Sequence, residues 1–438
     1  MLKRVLLILL CAVMVLCLSG CDFFAADTAE LLTPPMLSGE LKPISDVLTK
    51  TADAGYSLKY PSRGDYRSAI VRNDIDGDGL LEAFAFYSTV DGETVNMNIN
   101  FIANKNNEWV SVATQKIVAG GIDKVEFCDL DSNGVKEILV GWEVYGTSEM
   151  QIAVYGIEQS TLVQRMLQKY THFETCDLNE DGKNEILVIK TATAQNGNTA
   201  ALFALTDEGI TQISSCELDS ASKNFSEPII STLSNGKPAV YIDEIKGAGA
   251  VTEVLFLEKD VLVNPLYSPE TKETAVTLRS VSFSVTDIND DEVLEIPIQD
   301  NVPSVIKTET GEKLYLTNWC SFNGEALTVQ RTSMINLNDG YSFTIPPRWL
   351  GKIAVLKNTS TRVREIYRYN GEETVIGESL ILIKAMNNSQ WKEETFRGTK
   401  GEEILKKDGN VFVAYISDAA KNEGMTIDTV RSSFSIFE

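Results

Sequence analysis

The chain has 438 residues, with 62 acidic side chains against 39 basic ones and a single histidine, for a formal net charge of −23. An acidic balance of this size repels phosphate backbones and anionic headgroups, which excludes nucleic acid as a partner. With His172 alone, a His-based catalytic mechanism has one residue to depend on and a Cys/His zinc site has no ligand set.

The amino terminus predicts export. Lys3 and Arg4 precede an apolar run from Val5 to Leu18, too short for a membrane span and followed by small residues. The tetrapeptide Leu18-Ser19-Gly20-Cys21 resembles the bacterial lipobox. That resemblance implies a signal peptide over 1–20, diacylglycerol on Cys21, and a tether over 21–42 that contains Thr33-Pro34-Pro35. Two acyl chains suffice for stable anchoring. The expected location is therefore the extracytoplasmic face of a cell membrane. Loss of residues 1–20 removes two positive charges and no acid, which takes −23 to −25.

From residue 43 to 335 the chain alternates strands and turns with almost no helical period. An acidic loop running into an apolar strand recurs through it. The copies are Asp74-Ile-Asp76-Gly-Asp78-Gly79-Leu80-Leu-Glu82, Asp129-Leu-Asp131-Ser-Asn133-Gly134-Val135-Lys-Glu137 and Asp177-Leu-Asn179-Glu-Asp181-Gly182-Lys183-Asn-Glu185. A fourth has Asp287, Asn289, Asp291, Val293 and Glu295, and a worn copy near 231 keeps Asn235-Gly236 without the carboxylates. Loop starts at 74, 129, 177, 231 and 287 lie 55, 48, 54 and 56 residues apart. A period near 50 residues made of strands and turns is the mark of a β-propeller, since one four-stranded blade takes about 40 to 50 residues. The predicted fold is mainly β, a propeller of about five blades with six or seven left open, followed by a small α+β domain.

Oxygen ligands at loop positions 1, 3, 5 and 9, with glycine at 6, converge on a point that suits a hard cation, and position 7 adds its backbone carbonyl. Position 12 holds Ala85, Val140, Val188 and Ile298 where an EF-hand needs glutamate, so the EF-hand reading fails. The loops resemble those of FG-GAP and VCBS repeats, found in integrin-α-like propellers and many bacterial surface proteins, over roughly residues 60–335. The resemblance implies calcium as the bound ion. The 287 loop departs from it with Glu292 in place of glycine. The competing reading is that the loops are plain acidic turns bonded to their own backbone.

Near residue 335 the loops cease. Strands are predicted at 341–345, 352–357, 362–369, 379–386 and 411–416, with a hairpin at Lys407-Asp408-Gly409-Asn410 and a closing helix marked by Ile427, Val430 and Phe434. The openings "GYSFTIPPRW" and "DGNVFVAYI" resemble PsbP and Mog1-like α+β domains over 336–438, a family that implies docking roles. Cys128 and Cys176 occupy equivalent repeat positions, Cys216 and Cys320 are scattered, and no disulfide framework is expected. His172 reads as a strand-end histidine bonded within the repeat, and Trp109, Trp142 and Trp319 as blade core or as a carbohydrate face. The expectation is a membrane-anchored, calcium-binding scaffold that is not an enzyme and whose partner is an envelope protein or a glycan. The alternative is a secreted glycan-active hydrolase or lectin-like binder.

Overall fold

The structure is a computed structural model that describes residue 39 and residues 41–52, 55–92, 94–105, 108–192, 197–279, 283–302, 315–369, 371 and 377–436. The expected signal peptide, Cys21 and all but the end of the tether lie outside the described residues. No described helix is long and apolar enough to cross a membrane.

The chain is mainly β, built from antiparallel sheets. Its contacts divide it into two compact units, Met1–Lys124 with Ile157–Val163, and Val125–Gly156 with Gln164–Glu438. The first unit holds helix α1 (Lys42–Thr51) and a five-stranded sheet of β1 (Ser57–Leu58), β2 (Ile70–Asn73), β3 (Glu82–Asp91), β4 (Thr94–Lys105) and β5 (Glu108–Ile117). Sequence reading missed α1. It carries only Ile44 and Leu48 as fully buried side chains, one turn apart, and they share a core with Ile70, Ala83, Ala85, Tyr87 and Ile102. In this unit Ser62 and Arg63 donate backbone N–H to the carbonyls of Ile122 and Asp123, and the Arg63 guanidinium grips the buried Asp123 carboxylate at 2.6 and 2.8 Å.

Four-stranded meanders follow. β6 (Gly121–Cys128), β7 (Glu137–Glu143), β8 (Met150–Glu158) and β9 (Thr161–Tyr170) form one, and β10 (His172–Cys176), β11 (Glu185–Lys190), β12 (Thr199–Thr206) and β13 (Gly209–Glu217) the next. A third sheet contains β14 (Asn224–Phe225), β15 (Ile229–Thr232), β16 (Pro238–Lys246), β17 (Gly249–Glu258) and β18 (Val261–Val263). In the β10–β13 sheet and the third sheet the inner strands are apolar on both faces because each of these two sheets packs against two others. On β11, Ile186 and Val188 meet Leu139, Ile152 and Val154, while Leu187 and Ile189 meet Val240, Ile242 and Leu255. The far side of the third sheet, with Ala239, Tyr241, Val254 and Phe256, packs on Val285, Ile296 and Phe322. Alternation with period two thus places every second residue of one strand in a different core.

The next sheet runs through residue 335. β19 (Ile296–Asn301), β20 (Tyr315–Phe322) and β21 (Leu327–Asn336) continue into β22 (Tyr341–Thr344) and β28 (Phe434–Ile436). The last sheet has the order β23 (Ile353–Asn358), β24 (Val363–Arg368), β25 (Ser379–Asn387), β27 (Asn410–Ile416), β26 (Glu402–Lys407), and is accompanied by α2 (Asn388–Phe396), α3 (Asp418–Asn422) and α4 (Ile427–Ser433). The five strands predicted beyond residue 335 are present to within a residue or two; the closing helix is present over Ile427–Ser433, but Phe434, predicted on it, starts β28 instead. β26 and α2 were not foreseen. α2 buries no side chain, so it carries no apolar period, and its start is set by the Asn387–Gln390 capping box. Asp408 and Gly409, at φ 51° and 77°, make the two-residue turn of the β26–β27 hairpin.

Candidate metal sites

Each acidic loop enters a sheet at the same place. The loops at 74, 129 and 177 join β2 to β3, β6 to β7 and β10 to β11, the 287 loop precedes β19, and the worn copy joins β15 to β16. In the four loops that keep their carboxylates one hydrogen-bond scaffold recurs. The position 1 aspartate accepts from the position 6 N–H: Asp74 from Gly79 at 3.1 Å, Asp129 from Gly134 at 2.8 Å, Asp177 from Gly182 at 2.9 Å and Asp287 from Glu292 at 2.8 Å. The position 5 oxygen of Asp78, Asn133, Asp181 or Asp291 accepts from the N–H of Leu80, Val135, Lys183 or Val293 at 2.7 to 2.9 Å. One oxygen of the position 9 glutamate (Glu82, Glu137, Glu185, Glu295) accepts from the position 2 N–H of Ile75, Leu130, Leu178 or Ile288 at 3.0 to 3.1 Å.

These glutamates are the buried members of the sites, at 7, 2, 2 and 0 % exposure. Burial pushes each carboxyl above its ordinary range, against the pull of the position 2 N–H. The second oxygen of Glu295 is buried with no hydrogen-bond partner. Asp287 lies below the usual carboxylate range because the N–H groups of Asn289, Glu292, Asp291 and Asp290 point at it. Oxygen atoms of Asp74, Asp76 and Asp78 all lie within 4.8 Å of one another, as do those of Asp129, Asp131 and Glu137. In the other two loops Asn179 and Asn289 occupy position 3, and their amides donate to Asp181 at 3.2 Å and Asp291 at 2.9 Å. An all-oxygen donor set around a buried carboxylate, one oxygen of which is orphaned at Glu295, fits a hard divalent cation.

Position 6 requires a left-handed backbone in every copy. Gly79, Gly134, Gly182 and Gly236 have φ of 85°, 88°, 83° and 86°, and Glu292 adopts 68° despite its side chain. Loop geometry survives there at the expense of strain, roughly 1 kcal/mol. Glu292→Gly should therefore stabilise the protein by about that amount, and calorimetric melting checks it; an unchanged or lowered melting temperature contradicts it.

Several contributors were not legible in the sequence. Arg165 of β9 reaches the outer oxygen of Glu137 at 2.6 Å, and its guanidinium lies over Gly156, where a Cβ would stand 2.3 Å from it. Arg331 donates to the Ile288 carbonyl at 2.7 Å. In the worn copy Asn235 still accepts from the position 7 N–H of Lys237, and Ala239 stands in place of glutamate. There the Tyr241 hydroxyl donates to the Thr232 carbonyl at 3.1 Å, a neutral tie at position 2.

His172 starts β10, and its Nδ1 sits 3.2 Å from Glu227 Oε2. Trp142 is core, 1 % exposed, with its indole N–H on Tyr155; Trp109 and Trp319 are half-buried. Cys128, Cys176, Cys216 and Cys320 are free thiols, and burial raises each thiol above its ordinary range.

No family model matches the chain, and no curated protein does. Solved structures do match. An exotype rhamnogalacturonan lyase is 10 % identical with TM-score 0.31, covering 74 % of each chain. The rhamnogalacturonan lyase of Bacillus licheniformis is 13 % identical with TM-score 0.32, covering 74 % of this chain and 76 % of its own. The periplasmic gluconolactonase of Pseudomonas aeruginosa is 9 % identical with TM-score 0.26, covering 74 % and 94 %. The three solved structures named here are those of enzymes, against the expectation that this chain is not an enzyme, and that expectation is withdrawn. Likeness at this level carries no argument for a particular activity.

Proposed function

We propose that the chain is an extracytoplasmic lipoprotein whose stacked four-stranded sheets form a β-propeller of about five blades, held in shape by calcium in the loops at 74, 129, 177 and 287. The observation that carries this is the repeated scaffold, which in each loop sets an oxygen-rich ring around a buried glutamate. Asp74, Asp76, Asp78 and Glu82 would hold the first ion, with the Leu80 carbonyl. Asp129, Asp131, Asn133 and Glu137 with Val135 would hold the second, Asp177, Asn179, Asp181 and Glu185 with Lys183 the third, and Asp287, Asn289, Asp291 and Glu295 with Val293 the fourth. Bound calcium supplies the positive charge that lets clustered carboxylates and a buried glutamate stay ionised together.

The C-terminal α+β region would then serve for docking, and the acidic scaffold would present a surface to an envelope protein or a glycan. A glycan-active role is the second reading. Incubating the purified protein with pectic and galactan polysaccharides, with binding and chain cleavage read side by side, separates a lectin-like scaffold from an enzyme. Anchoring has its own test, motivated by Leu18-Ser19-Gly20-Cys21. Cys21→Ala should release the protein from membranes or leave its precursor uncut; normal processing with unchanged membrane retention would refute the lipid anchor.

A further inference from the structure

Two of the liganded loops touch. The Ser132 hydroxyl, at position 4 of the 129 loop, donates to the Gly182 carbonyl at position 6 of the 177 loop. In return Asn184, at position 8 of the 177 loop, donates its amide to the Asp129 carbonyl at 3.2 Å. Each bond ends on backbone of a residue that shapes the other loop: Asp129 is a position 1 ligand, and Gly182 is the left-handed turn that carries the N–H bonded to Asp177. The 287 loop has a different neighbour, since Val293 bridges to Thr232 of the worn copy.

The loops differ in readiness. Glu137 already carries a guanidinium at 2.6 Å, which competes with a cation for its outer oxygen, whereas no described cation contacts Glu185 at such a distance. Ordering the 177 loop around an ion also fixes Asp129 and the turn at Ser132, so that part of the ordering entropy of the 129 loop is already lost before its own ion arrives.

We propose that the loops at 129 and 177 bind calcium as a positively coupled pair, with the Ser132–Gly182 and Asn184–Asp129 hydrogen bonds carrying the coupling. This rests on the calcium reading above. Coupling through two such bonds falls in the usual range of about 5- to 150-fold in affinity, and its lower end is expected here. Ser132 and Asn184 act as positioning residues that hold the neighbouring loop and donate no oxygen to an ion.

The test is a calcium titration of the full chain in which Asp76→Ala and Asp287→Ala have disabled the other two loops, with bound calcium counted by equilibrium dialysis. Two sites with a Hill coefficient above 1 are expected. Ser132→Gly with Asn184→Ala should keep both sites and bring the coefficient to 1 or below, with the weaker site losing about fivefold or more in affinity. Glycine is tolerated at that place, because Gly77 occupies it in the 74 loop at φ 72°. As a second reading of the same coupling, Asp177→Ala should weaken the 129 loop as well as abolish its own site. Two independent sites in the parent, or a Hill coefficient untouched by the double substitution, overturn the coupling alone. If the unsubstituted chain binds no calcium, the reading beneath it fails and takes this inference with it.

Discussion

At saturating calcium, stability is expected to fall as pH rises from 5 to 8, and Glu244→Gln should remove about half of that slope. Glu244 on β16 and Glu253 on β17 are 1 and 0 % exposed and share one face of the sheet, since Ile242 pairs with Glu253 and Glu244 is two residues on. Neither oxygen of Glu244 closes a hydrogen bond, although the equally orphaned Ser222 hydroxyl lies beside it. Burial first, and then the neighbouring Glu253 charge, push the Glu244 carboxyl up to about 10. Burial likewise raises Glu253 to about 7, opposed by the Asp219 N–H at 2.6 Å, the Thr274 hydroxyl at 2.8 Å and the Asn264 amide at 3.0 Å.

The groups around the pair titrate elsewhere. Asp219 is held below its ordinary range by Lys246 and the N–H groups of Thr274 and Ala221, which outweigh its burial, and Lys246, also bonded to Glu273, is raised. The nearby Cys216 and Tyr267 are raised as well. The sign follows from the two glutamates. Their folded pKa values exceed the unfolded value of 4.5, so their contribution is complete below that pH. It is lost as the pH climbs toward 7 for Glu253 and 10 for Glu244. One such carboxyl costs about 1.4 kcal/mol per pH unit within its window, so about 2 to 3 kcal/mol between pH 5 and 7 for Glu244. Denaturant melts of both proteins at saturating calcium decide the matter. Parallel pH profiles for wild type and Glu244→Gln would contradict the assignment.

Calcium should raise the melting temperature visibly, and the four loops should contribute unequally. At millimolar calcium, a site of the extracellular type, with Kd of about 10⁻⁴ to 10⁻³ M, adds roughly 0.4 to 1.4 kcal/mol. The loop at 74 brings three converged aspartates and Glu82, whereas the loop at 287 has Asn289 bonded to its own Asp291 and a strained Glu292. Asp76→Ala should therefore remove more of the calcium-dependent shift than Asn289→Ala. Equal losses, or a larger loss from Asn289→Ala, would show that carboxylate convergence does not rank the sites.

The loops were legible in the sequence because their chemistry is local. All candidate side-chain ligands of one loop fall within nine residues, and the left-handed turn is announced by glycine in three of the four copies that keep their carboxylates. The strand that follows each loop was legible for the same reason, as an apolar run that starts at the turn. What was not legible depends on partners far along the chain. Arg165 meets Glu137 across 28 residues and Ser132 meets Gly182 across 50. Glu244 and Glu253 read as ordinary acids on a strand until the register brings them onto one buried face. Helix α1 escaped notice because two buried side chains make too weak a period, and Tyr241 because nothing in its neighbours announces a hydroxyl tied to the loop at Thr232.

Equilibrium dialysis of the full chain against 1 mM calcium in about 0.15 M salt, a condition that screens diffuse attraction to the acidic surface, tests the central claim most directly. Two to four bound ions per chain are expected, with the number falling when an occupied loop is disabled at its position 1 aspartate, Asp74, Asp129, Asp177 or Asp287. A count of zero, or a count indifferent to those substitutions, would contradict the account and leave the loops as acidic turns bonded to their own backbone.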